Sequence, residues 1–140
     1  MIDWEEVNVP RGAYISWGQE IGQHVTGRVL EYGIDTGKDF NGKVCPSIMI
    51  ELIEPADSIG SKGRSRHDAG EVVQLDVAQE SLKRALHAAD PAPGDLVKIT
   101  LENLVSRPNG VGKEFGIKIA RQAAQIEVVH LDDDDEQSSF

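Results

Sequence analysis

Cysteine occurs once in 140 residues, at Cys45, which excludes an internal disulfide and any cysteine-rich zinc site. No apolar run approaches the roughly 18 residues that a membrane-spanning helix needs, so no membrane partner is expected. The first ten residues, MIDWEEVNVP, open on acids and lack a basic start leading into an apolar stretch, so they do not read as a secretory signal. A lone thiol without such a signal fits a reducing cytoplasm. His24, His67, His87 and His130 are scattered without metal-ligand spacing, and no nucleophile–base arrangement stands out. Neither a metal, a cofactor nor catalysis is therefore expected. The segment RPNGVGKE departs from a Walker A loop at both ends, with Arg107 in the place of the first glycine and Glu114 in that of the final Ser or Thr.

Positive charge is also in short supply. Fourteen Lys and Arg stand against 24 Asp and Glu, leaving a net charge of −10. The sum alone argues against nucleic acid, whose binders normally carry a basic footprint. The distribution argues the other way. Acids concentrate at Asp132, Asp133, Asp134, Asp135 and Glu136, whereas Lys38, Lys43, Lys62, Arg64, Arg66, Arg107 and Lys113 fall in three glycine-rich segments.

The chain divides into an arm (1–20), a body (21–129) and an acidic tail (130–140) read as disordered. In the body, 21–32 alternates with period two, placing Ile21, Gln23, Val25, Gly27 and Val29 on a core face and Tyr32 outward. Gly27 suits a bend in that strand. Turn-forming residues make 33–43 a loop, 44–54 a second strand, 55–70 another loop and 71–77 a third strand with Val73, Leu75 and Val77 inward. Leu82, Ala85, Leu86 and Ala89 form one apolar stripe of a helix over 79–90, stopped by Asp90-Pro91. Strands follow at 96–104, with Val97, Ile99 and Leu101 inward, and at 114–120, with Phe115, Ile117 and Ile119 inward, joined by a loop at 105–113. A mainly β fold results: an OB-fold, a five-stranded Greek-key barrel with one helix between strands three and four.

In such barrels ligands cross strands two and three, flanked by the loops joining strands one–two and four–five. Lys38, Lys43, Arg107 and Lys113 sit in those loops here, and Lys62, Arg64 and Arg66 in the loop joining strands two and three. Arg28 and Lys118 occupy outward strand positions. Phe40 and Tyr32 are candidate stacking platforms. Cations on a glycine-rich backbone with interleaved aromatics suit phosphates and unpaired bases, so single-stranded nucleic acid is the expected partner.

Runs of like charge repel, stay extended and serve as interaction tails. An OB-like body followed by an acidic end closing on phenylalanine resembles the single-stranded DNA-binding proteins of bacteria and their phages, the phage type in its compact layout. The resemblance implies that Asp132 to Asp135, Glu136 and Phe140 recruit replication and recombination proteins. It also implies a homo-oligomer, a dimer before a tetramer, working in the cytoplasm. The ending EQSSF departs from the bacterial pattern, lacking an Ile-Pro pair before phenylalanine. An alternative stays open at this point: an OB-type adaptor, or an acidic DNA mimic that does not bind DNA.

Overall fold

A computed structural model describes residues 13–121. Eight strands and one helix follow in the order β1 (Ala13–Tyr14), β2 (His24–Lys38), β3 (Val44–Leu52), β4 (Ala56–Gly60), β5 (Gly63–His67), β6 (Val72–Asp76), α1 (Glu80–Ala89), β7 (Leu96–Arg107) and β8 (Gly110–Ala120). The fold is mainly β. Six strands form one mixed sheet in the order β1-β6-β3-β2-β7-β8, and β4 and β5 make a separate two-stranded hairpin. No helix among the described residues is long and apolar enough to cross a membrane.

The sheet is built around β2. Its first part pairs with β7 from His24 to Arg28, and its longer part pairs with β3 from Gly27 to Lys38. Gly27 is laddered on both sides, opposite Leu52 and Val97, and a Cβ there would collide with the Glu51 carbonyl and Ile50. The strand thus passes from β7 to β3 at a position where only glycine fits. Val25 and Val29 are fully buried, as their alternation requires, but Ile21 is mostly exposed because the strand starts only at His24. A bulge between Val29 and Glu31 inserts one residue and reverses the register. Tyr32 therefore lies opposite the fully buried Ile48 and packs against the core, not outward as strict alternation from Val29 would have it.

Ile48, Ile50, Val73, Leu75, Leu82, Leu86, Val97, Ile99 and Leu101 fill the core at or near zero exposure. Burying each side chain of this size contributes about 1.5–3 kcal/mol. The helix supplies Leu82 and Leu86 from its apolar stripe and ends at Asp90, whose left-handed backbone (φ 45°) lets its N–H donate to the Leu86 carbonyl. Arg121 caps the same end through the Ala89 and Asp90 carbonyls.

In place of the expected five-stranded Greek-key barrel, the strands form a six-stranded sheet that does not close into a barrel. The outer edge of β6 is already occupied by β1, which pairs with it in parallel at Val73 and Gln74, so β8 has no ladder to join there. Side chains bridge the gap. Lys113 of β8 donates to the Trp17 carbonyl at 3.0 Å, and the Trp17 ring meets Phe115 edge-on with centroids 4.8 Å apart.

Three segments expected to be loops are largely strand. The ladder of β2 runs on to Lys38 and that of β7 to Arg107, leaving short turns at 39–43 and 108–109. Residues 55–70 form the β4–β5 hairpin, which Ser16 holds in place: its N–H donates to Ser58 Oγ and its carbonyl accepts from Ile59 N–H.

Candidate nucleic-acid interface

Extending β2 and β7 as ladders carries the 39–43 and 108–109 turns past the body of the sheet, towards the arm and the start of α1. A cleft of about 280 Å³ opens there, lined by Tyr14 to Trp17 of the arm, Lys38, Asp39 and Phe40 of the first turn, Asp76, Gln79 and Lys113. Tyr14 is half exposed and Phe40 fully exposed. The ring plays no part in shaping its turn. Asp39 does that, its Oδ1 accepting from the N–H groups of Asn41 and Lys43, both at 2.9 Å.

A second cleft, of about 330 Å³, shares Gln79 and Lys113 with the first and adds Glu80, Ser81, Arg84, Arg107 and Gly112. The guanidinium of Arg107 lies against Gly112, where a Cβ would strike it. Glycine at that position therefore lets the arginine fold across β8 toward the start of α1. Ser81 fixes the helix on the strand by accepting from Phe115 N–H at 2.9 Å. The carboxylates bordering the two clefts are engaged locally: Asp39 in its turn, Asp76 accepting from Gln74 Nε2, and Glu80 paired with Lys83 at 3.3 Å. Among the described residues, the lysines and arginines of these clefts have no such short carboxylate contacts.

Polar groups in the wall of the first cleft are not all satisfied. Trp17 Nε1 and Gln79 Oε1 are buried without a hydrogen-bond partner. Each such orphan costs about 1–3 kcal/mol of desolvation.

The structure thus gathers Lys38, Phe40, Arg107 and Lys113, with Lys43 closing the turn that carries Phe40. It does not bring the other candidates to these clefts. Arg64 ion-pairs with Asp57 at 2.6 Å and Glu20 at 2.7 Å, and Arg66 stands 3.7 Å from Asp68. Arg66, Glu20 and Asp57 line a separate cleft of about 250 Å³ with Gln23 and His24. Lys62 is exposed at the tip of the β4–β5 hairpin. Arg28 faces Glu51 across β2–β3, and Lys118 faces Lys98 across β7–β8; both are exposed. Burial raises the Tyr32 phenol above its ordinary pKa and Asp90 adds to the shift, which sets that ring beside the end of α1. Cys45 is almost fully buried, and burial, with Asp76 and Asp39 next, pushes its thiol up, which suppresses the reactive thiolate. Asp132 to Asp135, Glu136 and Phe140 lie outside the described residues.

Sequence reasoning missed four contributors. Tyr14 reads as arm packing and Arg84 as a charge near a helix end, and no local signal joins either to the 39–43 turn. Trp17 and Gln79 become notable only through their unpaired atoms.

Among the described residues, no group of three or more His, Cys, Asp and Glu could hold a metal ion. Comparison of the chain with protein families, with curated proteins and with solved structures found no match.

Proposed function

We propose that this chain is a non-enzymatic, single-stranded DNA-binding protein of phage type that holds its strand without regard to sequence. One observation carries the proposal: an uncovered Phe40 and a half-exposed Tyr14 share a cleft with Lys38 and Lys113, and that cleft runs on into Arg84 and Arg107. Aromatic faces take bases of any identity, and the cations follow the phosphates. Connectivity supports assigning the body to the OB type. A long β2 pairs with both β3 and β7, and one helix separates β6 from β7. In that assignment β1 is an addition, and the clefts fall beside the two connections that flank the ligand in OB-folds.

The acidic residues Asp132 to Asp135 and Glu136, with Phe140, are proposed to recruit replication and recombination proteins. The acids steer the approach and the ring enters an apolar pocket with a basic rim on the partner. A dimer in the host cytoplasm completes this picture.

Titration of a labelled oligo-dT tests it. Lys38, Lys43, Arg84, Arg107 and Lys113 each add about 0.7 to the logarithmic salt slope, roughly 3.5 together, so affinity falls roughly 100-fold between 50 and 200 mM salt. Removing residues 132–140 keeps or raises DNA affinity and abolishes partner recruitment. Loss of DNA binding on that truncation would overturn the assignment of the tail. The net charge of −10 favours a second reading, an adaptor or acidic DNA mimic, which predicts no oligo-dT binding even at low salt.

A further inference from the structure

Trp17 Nε1 and Gln79 Oε1 are, among the described residues, the buried side-chain polar atoms left without a partner. Both residues line the cleft that holds Tyr14, Lys38, Phe40 and Lys113. Elsewhere the fold satisfies such groups: buried Gln23, Ser47, Ser58 and Gln74 are all hydrogen-bonded. Trp17 is 8% exposed, and its indole N–H can only donate. Gln79 stands at the N-cap of α1 yet makes no side-chain capping bond, so the helix does not use its amide. A donor and an acceptor therefore sit unused in the wall of a cleft whose rim carries an exposed aromatic ring.

We propose that Trp17 N–H and the Gln79 amide read the Watson–Crick edge of one unpaired base, so that the cleft selects single strands by probing atoms that a duplex hides. The inference rests on the single-strand reading above and adds to it the means of selection. Every base offers an acceptor beside a donor on that edge: thymine O4 and N3–H, guanine O6 and N1–H, adenine N1 and N6–H, cytosine N3 and N4–H. The base can enter with either face towards Phe40, and the Gln79 amide carries both a donor and an acceptor, so all four bases are accommodated. In a duplex the complementary strand occupies the same atoms. Both orphan atoms are shut off from water in the free protein, so the side chains of the wall part slightly as the base enters. Phe40 stacks on that base, and Lys113, common to both clefts, meets the adjoining phosphate.

The test compares an oligo-dT with the same oligomer built from N3-methylthymine, which keeps phosphates and stacking but puts a methyl group in place of N3–H, so that the base edge cannot seat against the wall and both hydrogen bonds are lost. Trp4→Phe leaves Trp17 as the one tryptophan, so its emission reports on its own N–H. Oligo-dT is expected to shift that emission to the red and to bind roughly 5- to 50-fold tighter than the methylated oligomer, the worth of two hydrogen bonds. Trp17→Phe keeps an aromatic ring against Phe115 while removing the donor; it should shrink that ratio several-fold and leave the salt slope unchanged. Gln79→Ala makes the same comparison if Trp17→Phe does not fold. Equal affinity for the two oligomers, or a uniform weakening of both by these variants, would overturn base-edge reading while single-strand binding stood. Failure to bind either oligomer at low salt would overturn both.

Discussion

Phe40→Ala separates the proposed binding surface from the fold. The ring is fully exposed, so its removal takes nothing from the core. The turn that carries it is shaped by other groups: Asp39 Oδ1 accepts from two backbone N–H groups, and Asp39 N–H donates to the Lys43 carbonyl at 2.9 Å. A surface change of this kind stays within about 0.5 kcal/mol of wild-type stability, so Tm should lie within about 3 °C of it. Binding should respond very differently. Loss of one base–aromatic stack removes roughly 1–3 kcal/mol, which weakens affinity for oligo-dT roughly 5- to 150-fold. No cation is touched, so the salt slope should not change. Fluorescence anisotropy with a labelled oligo-dT across 50–200 mM salt, beside a thermal melt, measures all three quantities. Phe40→Trp supplies the counterpart and should bind at least as tightly as the wild type. An alanine variant with intact Tm and affinity within twofold of wild type would refute stacking at this site, and with it the reason given for an uncovered phenylalanine.

Three further substitutions probe the frame that positions the clefts. Gln23 is 5% exposed and joins the arm to the β4–β5 hairpin, its Nε2 donating to the Ser16 and Asp57 carbonyls and its Oε1 accepting from Gly18 N–H. Gln23→Ala should cost about 2–4 kcal/mol in urea denaturation, because it orphans groups on both elements, and an unchanged midpoint would contradict that role. Gly27→Ala places a methyl group against the Glu51 carbonyl on a strand laddered on both sides, so a comparable loss of about 2–4 kcal/mol is expected; wild-type stability would mean that β2 can shift there. Glu71 has a lowered pKa because Asp68 N–H, and then His67, hydrogen-bond its carboxylate. Its stabilisation is therefore present above the ordinary carboxylate pKa and lost as pH falls through the depressed folded value. Glu71→Gln should be less stable than wild type near pH 7 and converge with it in acid; a constant gap across that range would show that the charge is not responsible.

Much of the frame was legible because it follows from local pattern. Val73, Leu75 and Val77 alternate without interruption, as do Val97, Ile99 and Leu101, and all six are buried. The stripe through Leu82 and Leu86 and the stop at Asp90-Pro91 likewise depend on near neighbours alone. What stayed hidden depends on residues distant in the chain. The inserted residue at Leu30 turns Tyr32 from outside to inside, and a bulge of that kind leaves no mark on alternation until the partner strand is known. Glycine and asparagine at 33–43 signalled a loop, yet β3 draws residues 33–38 into a ladder. The alternation in KGRSRH was a strand signal obscured by flanking glycines. The candidate site was legible in its loop cations and in Phe40. Tyr14 joins them only because β1 pairs with β6, some 60 residues later in the chain.

The same long-range geometry bears on the conflict between an acidic chain and the polyanionic ligand proposed for it. Half of the net charge of −10 stands at Asp132 to Glu136, outside the body. Within it, Arg64 and Arg66 sit beside carboxylates at a different cleft, so the loop with the densest positive charge in the sequence contributes least to a phosphate path. Lys38, Lys113, Arg84 and Arg107 come from four separate elements and converge where the nearby acids are held in local hydrogen bonds or an ion pair. Four or five cations against a negative background give a short-range attraction that salt screens readily, since the Debye length is about 8 Å at physiological ionic strength. Such a surface cannot hold a strand by charge alone. In the proposed single-strand reading, stacking at Phe40 and hydrogen bonds from the cleft wall would supply the remainder, and the balance can be measured: charge reversal at Arg107 should flatten the salt slope, whereas Phe40→Ala should lower affinity at every salt concentration by the same factor.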